Sequence, residues 1–329
     1  MTSRSPLVSI VIPTFNRAQK IGGAVCSCRA QNHPSCEIIV VDDGSTDETA
    51  AVLATLAADA GHPLRIIVQA NTGASAARNA GLAACRGMYV QFLDSDDALE
   101  PHKIAMQLAA MEETADCDVV LSFGRLESAE GSERIGADCG TRPMAYVERI
   151  CSGEVHVVQT AAPLWRREFL SCAHRWNSAI TLGDDLEFHA KCLVDARAVA
   201  FVPEELFIVK YHQGDRLSDF STDNGRLSSL VATREAIFEM LKARGMWTDA
   251  CADNALIAMR TLYVNYLRRM PGVELFRLER LIGRSCRVSP RSAALWAMIA
   301  ARRVLGRRAV LAGADAIIGM HESQPRALW

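Results

Sequence analysis

An apolar run, Met88-Tyr89-Val90-Gln91-Phe92-Leu93, leads directly into Asp94-Ser95-Asp96-Asp97. Three carboxylates at the end of a buried strand repel and raise one another's pKa, a cost that a bound cation removes. A hard divalent cation fits that chemistry, because it takes oxygen ligands and bridges them to phosphate oxygens. Aspartate is also a common turn residue, so the run alone is compatible with a plain turn. Two further acidic pairs stand out. Asp42-Asp43 closes the apolar Ile38-Ile39-Val40-Val41, and Asp184-Asp185 stands at the head of a helix-like stretch, where the macrodipole favours acids whatever their role.

The elements that must hold these groups are legible as alternation. Short β-branched runs, Leu7 to Ile12, Glu37 to Val41, Leu64 to Gln69 and Met88 to Leu93, are separated by Ala-rich segments of helix length. Strand, helix, strand order predicts a parallel sheet with helices on its faces, and ligands bind beyond the carboxyl ends of such strands. Those ends carry Pro13-Thr14-Phe15-Asn16, Asp42-Asp43-Gly44-Ser45, Asn71-Thr72-Gly73 and the acidic run, so the polar chemistry gathers along one edge. A further strand is expected at Asp118 to Phe123, followed by a polar loop or hairpin from Glu127 to Arg142. A helix beginning at Asp184-Asp185, a strand near Ala198 to Phe201, and helices from Asn224 onward complete the reading.

Four segments in order then match one pattern: Val8 to Arg17, Val40 to Asp47, Asn71 to Gly81 and Phe92 to Asp97. Together they resemble the family 2 glycosyltransferases, and the resemblance implies the GT-A fold, a three-layer α/β sandwich around a mostly parallel sheet. It covers roughly the first hundred residues closely and extends more loosely to about residue 220. The implied organisation is a catalytic domain over 1–222 and a helical, Arg-rich C-terminal extension over 223–329.

The resemblance assigns roles residue by residue. Pro13, Thr14 and Asp43 meet the nucleoside; Asp43 has the chemistry to accept a hydrogen bond from a uracil-type imide or a nucleoside hydroxyl. Arg78, within Arg78-Asn79-Ala80-Gly81, pairs with Asp43 or faces the nucleotide. Asp94 and Asp96 form the Asp-x-Asp pair on ribose and metal, Asp97 sharing the metal, with Mg²⁺ or Mn²⁺ bridging the donor diphosphate. Leu182 to Phe188 matches the family's Glu-Asp pair with Asp184 in place of Glu, so Asp185 is the expected base and Glu187 the reserve. Asp184 and Trp176 are acceptor-side candidates, Trp176 as a sugar-stacking indole, with burial in the core as the alternative for Trp165 and Trp176 alike. His212 sits in a stretch vaguely similar to the family's late loop over the diphosphate. Its spacing differs, and Lys210 and Arg216 supply phosphate-neutralising charge without metal.

The implied reaction is inverting, metal-dependent transfer of a single sugar from a nucleotide-diphosphate donor, a UDP-sugar first, to a glycan or lipid-linked acceptor in cell-surface polysaccharide synthesis. Processive members carry transmembrane spans and a Gln-x-x-Arg-Trp motif after the base. Here Arg175-Trp176 precedes Asp185, and Leu295 to Met320 is broken by Arg302-Arg303, Arg307-Arg308 and Asp315. A nucleotidyltransferase would carry a Gly-rich loop after the first strand, which Pro13 to Arg17 is not. A non-catalytic nucleotide-sugar-binding scaffold at the membrane is the other alternative.

Composition sets the frame. The 329 residues are half apolar, enough for a substantial core, and the formal net charge is −2. Eleven cysteines without Cys-x-x-Cys spacing suit reduced thiols, and the start of the chain lacks a secretory h-region, so a cytoplasmic protein is expected. From Arg260 onward there are thirteen Arg, no Lys and four acids, a charge of about +9. Solvated helix faces account for it, as does attraction to an anionic surface, with peripheral contact at the inner membrane face or homo-oligomer formation through the terminal helices. No nucleic-acid partner is expected.

Overall fold

A computed structural model describes residues 5–59, 61–154, 156–170, 173–211, 224–266, 272–286 and 292–305. His212, Arg216 and the part of the Arg-rich tail beyond Leu305 lie outside the described residues. The chain divides into two compact units, Met1–Tyr146 with His156–Leu217, and Val147–Val155 with Ser218–Trp329.

The first unit begins as the alternation predicts. Strands Val8–Thr14 (β1), Cys36–Asp42 (β2), Leu64–Val68 (β3) and Tyr89–Phe92 (β4) alternate with helices Ile21–Arg29 (α1), Thr49–Ala58 (α2) and Ala74–Ala84 (α3). β1 is buried at all seven positions, the pattern of a strand covered on both faces. Parallel pairing joins β3, β2, β1 and β4 in that spatial order, and the register aligns Thr14 with Asp42 and Val11 with Phe92. The strand ends therefore stand level, and the polar residues that follow them share one edge.

Beyond β4 the sheet becomes mixed. Ala98–Leu99 (β5), helix Lys103–Glu113 (α4), Cys117–Ser128 (β6), Gly131–Ile135 (β7), helix Pro143–Ile150 (α5), Leu164–Arg166 (β8), helix Arg167–Leu170 (α6), helix Asp184–Asp195 (α7) and Ala198–Lys210 (β9) follow. β8 inserts antiparallel between β4 and β6, and β9 pairs parallel with β6 and antiparallel with β5. The polar stretch after residue 127 is a hairpin, β7 pairing antiparallel with the far half of β6. β6 and β9 outrun their expected lengths because each reinforces the other through a long, bulged ladder whose outer half is only partly buried.

Helix α3 lies against β1 and β2 at a separation that only a small residue permits. A Cβ on Gly81 would come within 2.3 Å of Val11 Cγ1 and 3.3 Å of Val41 Cγ2. This close approach carries the side chains of α3 to the carboxyl edge of the sheet.

In the second unit, helices Asn224–Ala243 (α8), Asp249–Tyr266 (α9), Gly272–Ser285 (α10) and Ala293–Leu305 (α11) pack around Phe238, Leu241, Met259, Leu278 and Ile282. Glu279 is fully buried and accepts bonds from Arg302 Nε and Nη2 (2.6 and 2.8 Å), Arg303 Nε (3.3 Å) and Tyr263 Oη (3.0 Å). Among the described residues no helix is long and apolar enough to cross a membrane.

Candidate active site

The edge beyond β1 and β2 is built from side chains that bond backbone. Asp43 N–H donates to Thr14 O (2.8 Å), and Asp42 Oδ1 accepts Ser45 N–H (3.0 Å), closing the turn where Gly44 adopts φ +78°. Asn16, itself at φ 51°, accepts Thr46 N–H (2.8 Å) and donates its own N–H to Ser45 Oγ (2.9 Å). Asp47 Oδ1 accepts Thr49 N–H (2.9 Å), a local bond that orders the entry to α2.

Asp43 is almost fully buried. Its Oδ1 accepts Gln69 Nε2 (2.7 Å) and Thr72 N–H (3.0 Å), and its Oδ2 accepts Gly73 N–H (2.7 Å). It thus orders the loop entering α3 while Oδ2, with one close donor, keeps capacity for another. Thr14 Oγ1 is buried without a hydrogen-bond partner, an uncommon state that a bound polar group would relieve. Pro13 lies in register with Val41, one residue inside the edge.

Arg78 is the hub of the site. Its Nη2 meets Asp94 Oδ1 at 2.6 Å and its Nη1 meets Asp184 Oδ2 at 2.8 Å, while the guanidinium carbon lies 4.4 Å from the centre of the Trp176 ring. Burial pulls its pKa down, and the two carboxylates outweigh that and hold it up. The expected pairing with Asp43 does not form: the guanidinium points across to Asp94 and Asp184. Ser75, one turn earlier on α3, donates to the same Asp184 Oδ2 at 2.7 Å. Nothing in the motif marked Ser75, although an i, i+3 spacing from Arg78 puts both on one helix face. Asn79 completes the motif by bonding both Trp176 N–H (2.9 Å) and Trp176 O (2.8 Å).

Asp185 follows the anchored Asp184 at the start of α7. Among the described residues it accepts one hydrogen bond, from Leu186 N–H to Oδ1 (2.9 Å). Burial first, and the adjacent Asp184 carboxylate second, push its pKa up to about 7. A carboxylate with that value exchanges protons near neutrality, as a general base must. Glu187, the reserve, is buried and paired with Lys191 at 3.1 Å, which occupies it structurally.

Trp176 is 2 % exposed. Phe188 stacks on it at 4.1 Å with an interplanar angle of 5°, and Phe92 meets it edge-on at 5.3 Å. With Phe188 and Arg78 against the ring, no sugar can stack there, so the acceptor-platform expectation is corrected: Trp176 is a wall behind Arg78. Trp165 is fully buried in the same cluster, parallel to His189 at 6.0 Å; burial and the Arg78 charge push that imidazole down to about 3, keeping it neutral.

The acidic run separates by partner. Asp94 is held by Arg78, and the buried Asp97 accepts Lys210 N–H at 3.1 Å through Oδ1, which ties the run to β9. Asp96 is half-buried and has no hydrogen-bond or ionic partner among the described residues. No group of three or more His, Cys, Asp or Glu comes together as a ready cage among them. An unpaired carboxylate without a protein cage suits Mg²⁺ or Mn²⁺ held jointly with substrate phosphates, so these residues fit the cation.

A parallel sheet whose carboxyl edge carries the buried Asp43, the Asp94-Ser95-Asp96 run and Asp185 is an arrangement that suits an α/β transferase domain. Residues 9–161 match the family model for glycosyl transferase family 2. Succinoglycan biosynthesis protein ExoO of Rhizobium meliloti is 28% identical over 250 residues, 73% of this chain and 70% of that protein. A glycosyltransferase of Nostoc sp. is 38% identical over 145 residues, 44% of each chain, so the match spans less than half of that relative's length. Among solved structures, S. aureus TarS 1-349 in complex with UDP aligns with a TM-score of 0.66 at 15% identity, covering 97% of this chain and 93% of that one. The mannosyltransferase PcManGT of Pyrobaculum calidifontis, in complex with GDP-Man and Mn²⁺, aligns at 0.54 and 16% identity, covering 98% and 89%. Residues 9–161 are thus similar to glycosyl transferase family 2, and the first unit has the GT-A fold of these solved transferases.

Proposed function

We propose that the protein transfers one sugar, with inversion, from a nucleotide-diphosphate donor to a glycan or lipid-linked acceptor, residues 1–222 forming the catalytic domain. The acceptor hydroxyl attacks the anomeric carbon, the bond from that carbon to the diphosphate oxygen breaks, and the hydroxyl proton passes to Asp185. Thr14 and Asp43 bind the nucleoside, and Asp94 orients the ribose. Asp96 would hold a divalent cation together with the diphosphate, and the cation when bound supplies Lewis-acid stabilisation of the departing charge.

The observation that carries this reading is the Arg78 bridge. One buried guanidinium spans Asp94 and Asp184 at 2.6 and 2.8 Å, linking the donor-side carboxylates to the neighbour of the base. Succinoglycan synthesis by the Rhizobium relative and the UDP bound to TarS support polysaccharide synthesis and a UDP-sugar donor. A position at the inner membrane face, reached peripherally, belongs to the same proposal.

Donor hydrolysis and transfer with a panel of nucleotide sugars, with Mn²⁺ and then with excess chelator, test it. Activity that chelation abolishes and added Mn²⁺ restores is expected. Full activity in chelator would remove the cation from the reading; nucleotide-sugar binding without any turnover across the panel would make the domain a scaffold.

A further inference from the structure

We propose that the helical unit carries its own binding site for an acidic saccharide, in a cavity of about 520 Å³ between the ends of α8 and α10 and the starts of α9 and α11. Its lining combines two indoles, Trp247 and Trp296, with Lys242, Arg284, Ser285 and Asp249. Lys242 Nζ donates to Ser285 Oγ at 2.9 Å and lies 5.1 Å from the centre of the Trp247 ring, so the ammonium is fixed at the wall. Arg284 is exposed and has no partner among the described residues, leaving its whole donor fork available. The indole N–H of Trp296 is buried without an acceptor. Four kinds of donor thus gather here against Asp249 in the lining and Glu239, which pairs with Lys242 at 3.5 Å.

Pyranose rings offer apolar faces to indoles, and a carboxylate or phosphate substituent answers Lys242 and Arg284; hydroxyls answer Trp296 and Ser285. Neutral sugar leaves the Arg284 cation unanswered, and a bare anion leaves two indoles unused. The excess of arginine over acids from residue 260 onward favours the same sign of ligand. Retention of a growing acidic glycan beside the transferase rests on the function proposed above; the binding itself does not.

The probe is a short galacturonic acid oligomer titrated into the full-length protein, read by tryptophan fluorescence and calorimetry, with UDP titrated separately. Saturable binding is expected, weakened about tenfold or more by Arg284→Ala and by Lys242→Gln, with UDP affinity unchanged. Arg284 has no hydrogen-bond or ionic partner among the described residues, so its variant separates binding from folding. Equal affinity for a neutral oligomer of the same length, unchanged affinity in Arg284→Ala, or full displacement by inorganic phosphate would overturn the proposal. So would Arg284-dependent binding to anionic phospholipid vesicles without binding of the oligomer. Loss of UDP binding with the saccharide site intact would instead count against the donor reading alone.

Discussion

The raised pKa of Asp185 suits the base role proposed for it and costs stability, and one substitution separates the two. Asp185→Asn is expected to lower turnover by about 10²- to 10⁴-fold while donor affinity, measured by calorimetry, stays within a few fold. In the wild type, activity should fall about tenfold per pH unit below an apparent pKa near 7, because only the deprotonated carboxylate accepts the proton. Stability runs the other way. The folded state keeps a proton that the unfolded chain releases near 3.9, so folding weakens as pH rises from about 4 to 7. Asp185→Asn should therefore melt higher than wild type at pH 8 and equally at pH 4; a lower melting point at pH 8 would show that the charge is held by unseen favourable contacts. Arg78 has the opposite balance. Arg78→Ala leaves Asp184 and Asp94 without their cation, and a loss of about 3 kcal/mol by chemical denaturation is expected, with Arg78→Lys recovering only part because an ammonium cannot span both carboxylates. Arg78's importance was legible from its motif; its partners were not, since Asp184 lies more than a hundred positions away.

At the scale of elements, the closeness of α3 to the sheet decides where Arg78 and Ser75 arrive. Gly81→Ala would drive a methyl into Val11, a stiff β-branched side chain, and a loss of about 1–3 kcal/mol is expected, partly restored by combining it with Val11→Ala. Additive losses in the double variant would refute the contact. The first four strands were readable because each is a continuous apolar run ended by a turn, and the register needs only level ends. β8 was not: three residues are too few for periodicity, and its place between β4 and β6 depends on partners distant in the chain. For the hairpin after residue 127 the sequence does not choose between loop and strand pair, because its polar residues bear no apolar alternation; pairing with β6 decides it.

The whole molecule holds two units with separate cores, so unfolding need not be two-state. In the helical unit the buried Glu279 is held below the usual carboxylate range; burial opposes this, and the bonds from Arg302 and Tyr263 outweigh it. A depressed folded pKa stabilises above the unfolded value near 4.3 and ceases to do so as pH falls through the folded one. Glu279→Gln should destabilise the unit by about 3 kcal/mol at pH 7 and progressively less towards pH 3, seen by calorimetry as movement of one transition. Saturating UDP should raise the other transition only. A single transition moved by both would mean that the two units unfold as one.

What the sequence determined by itself is the catalytic edge: runs of β-branched residues must become buried strands, strand–helix alternation forces parallel pairing, and parallel pairing brings Asp43, Asp94 and Asp96 to one side. Tertiary structure alone decided what each carboxylate does there. Asp94 and Asp184 are neutralised by Arg78, Asp97 is spent on the Lys210 amide, and Asp96 and Asp185 remain available. The same packing turned Trp176 from a candidate sugar platform into a buried wall. Charge and burial act over a few ångströms in space, and residue type and spacing fix which groups share an edge without fixing which of them touch.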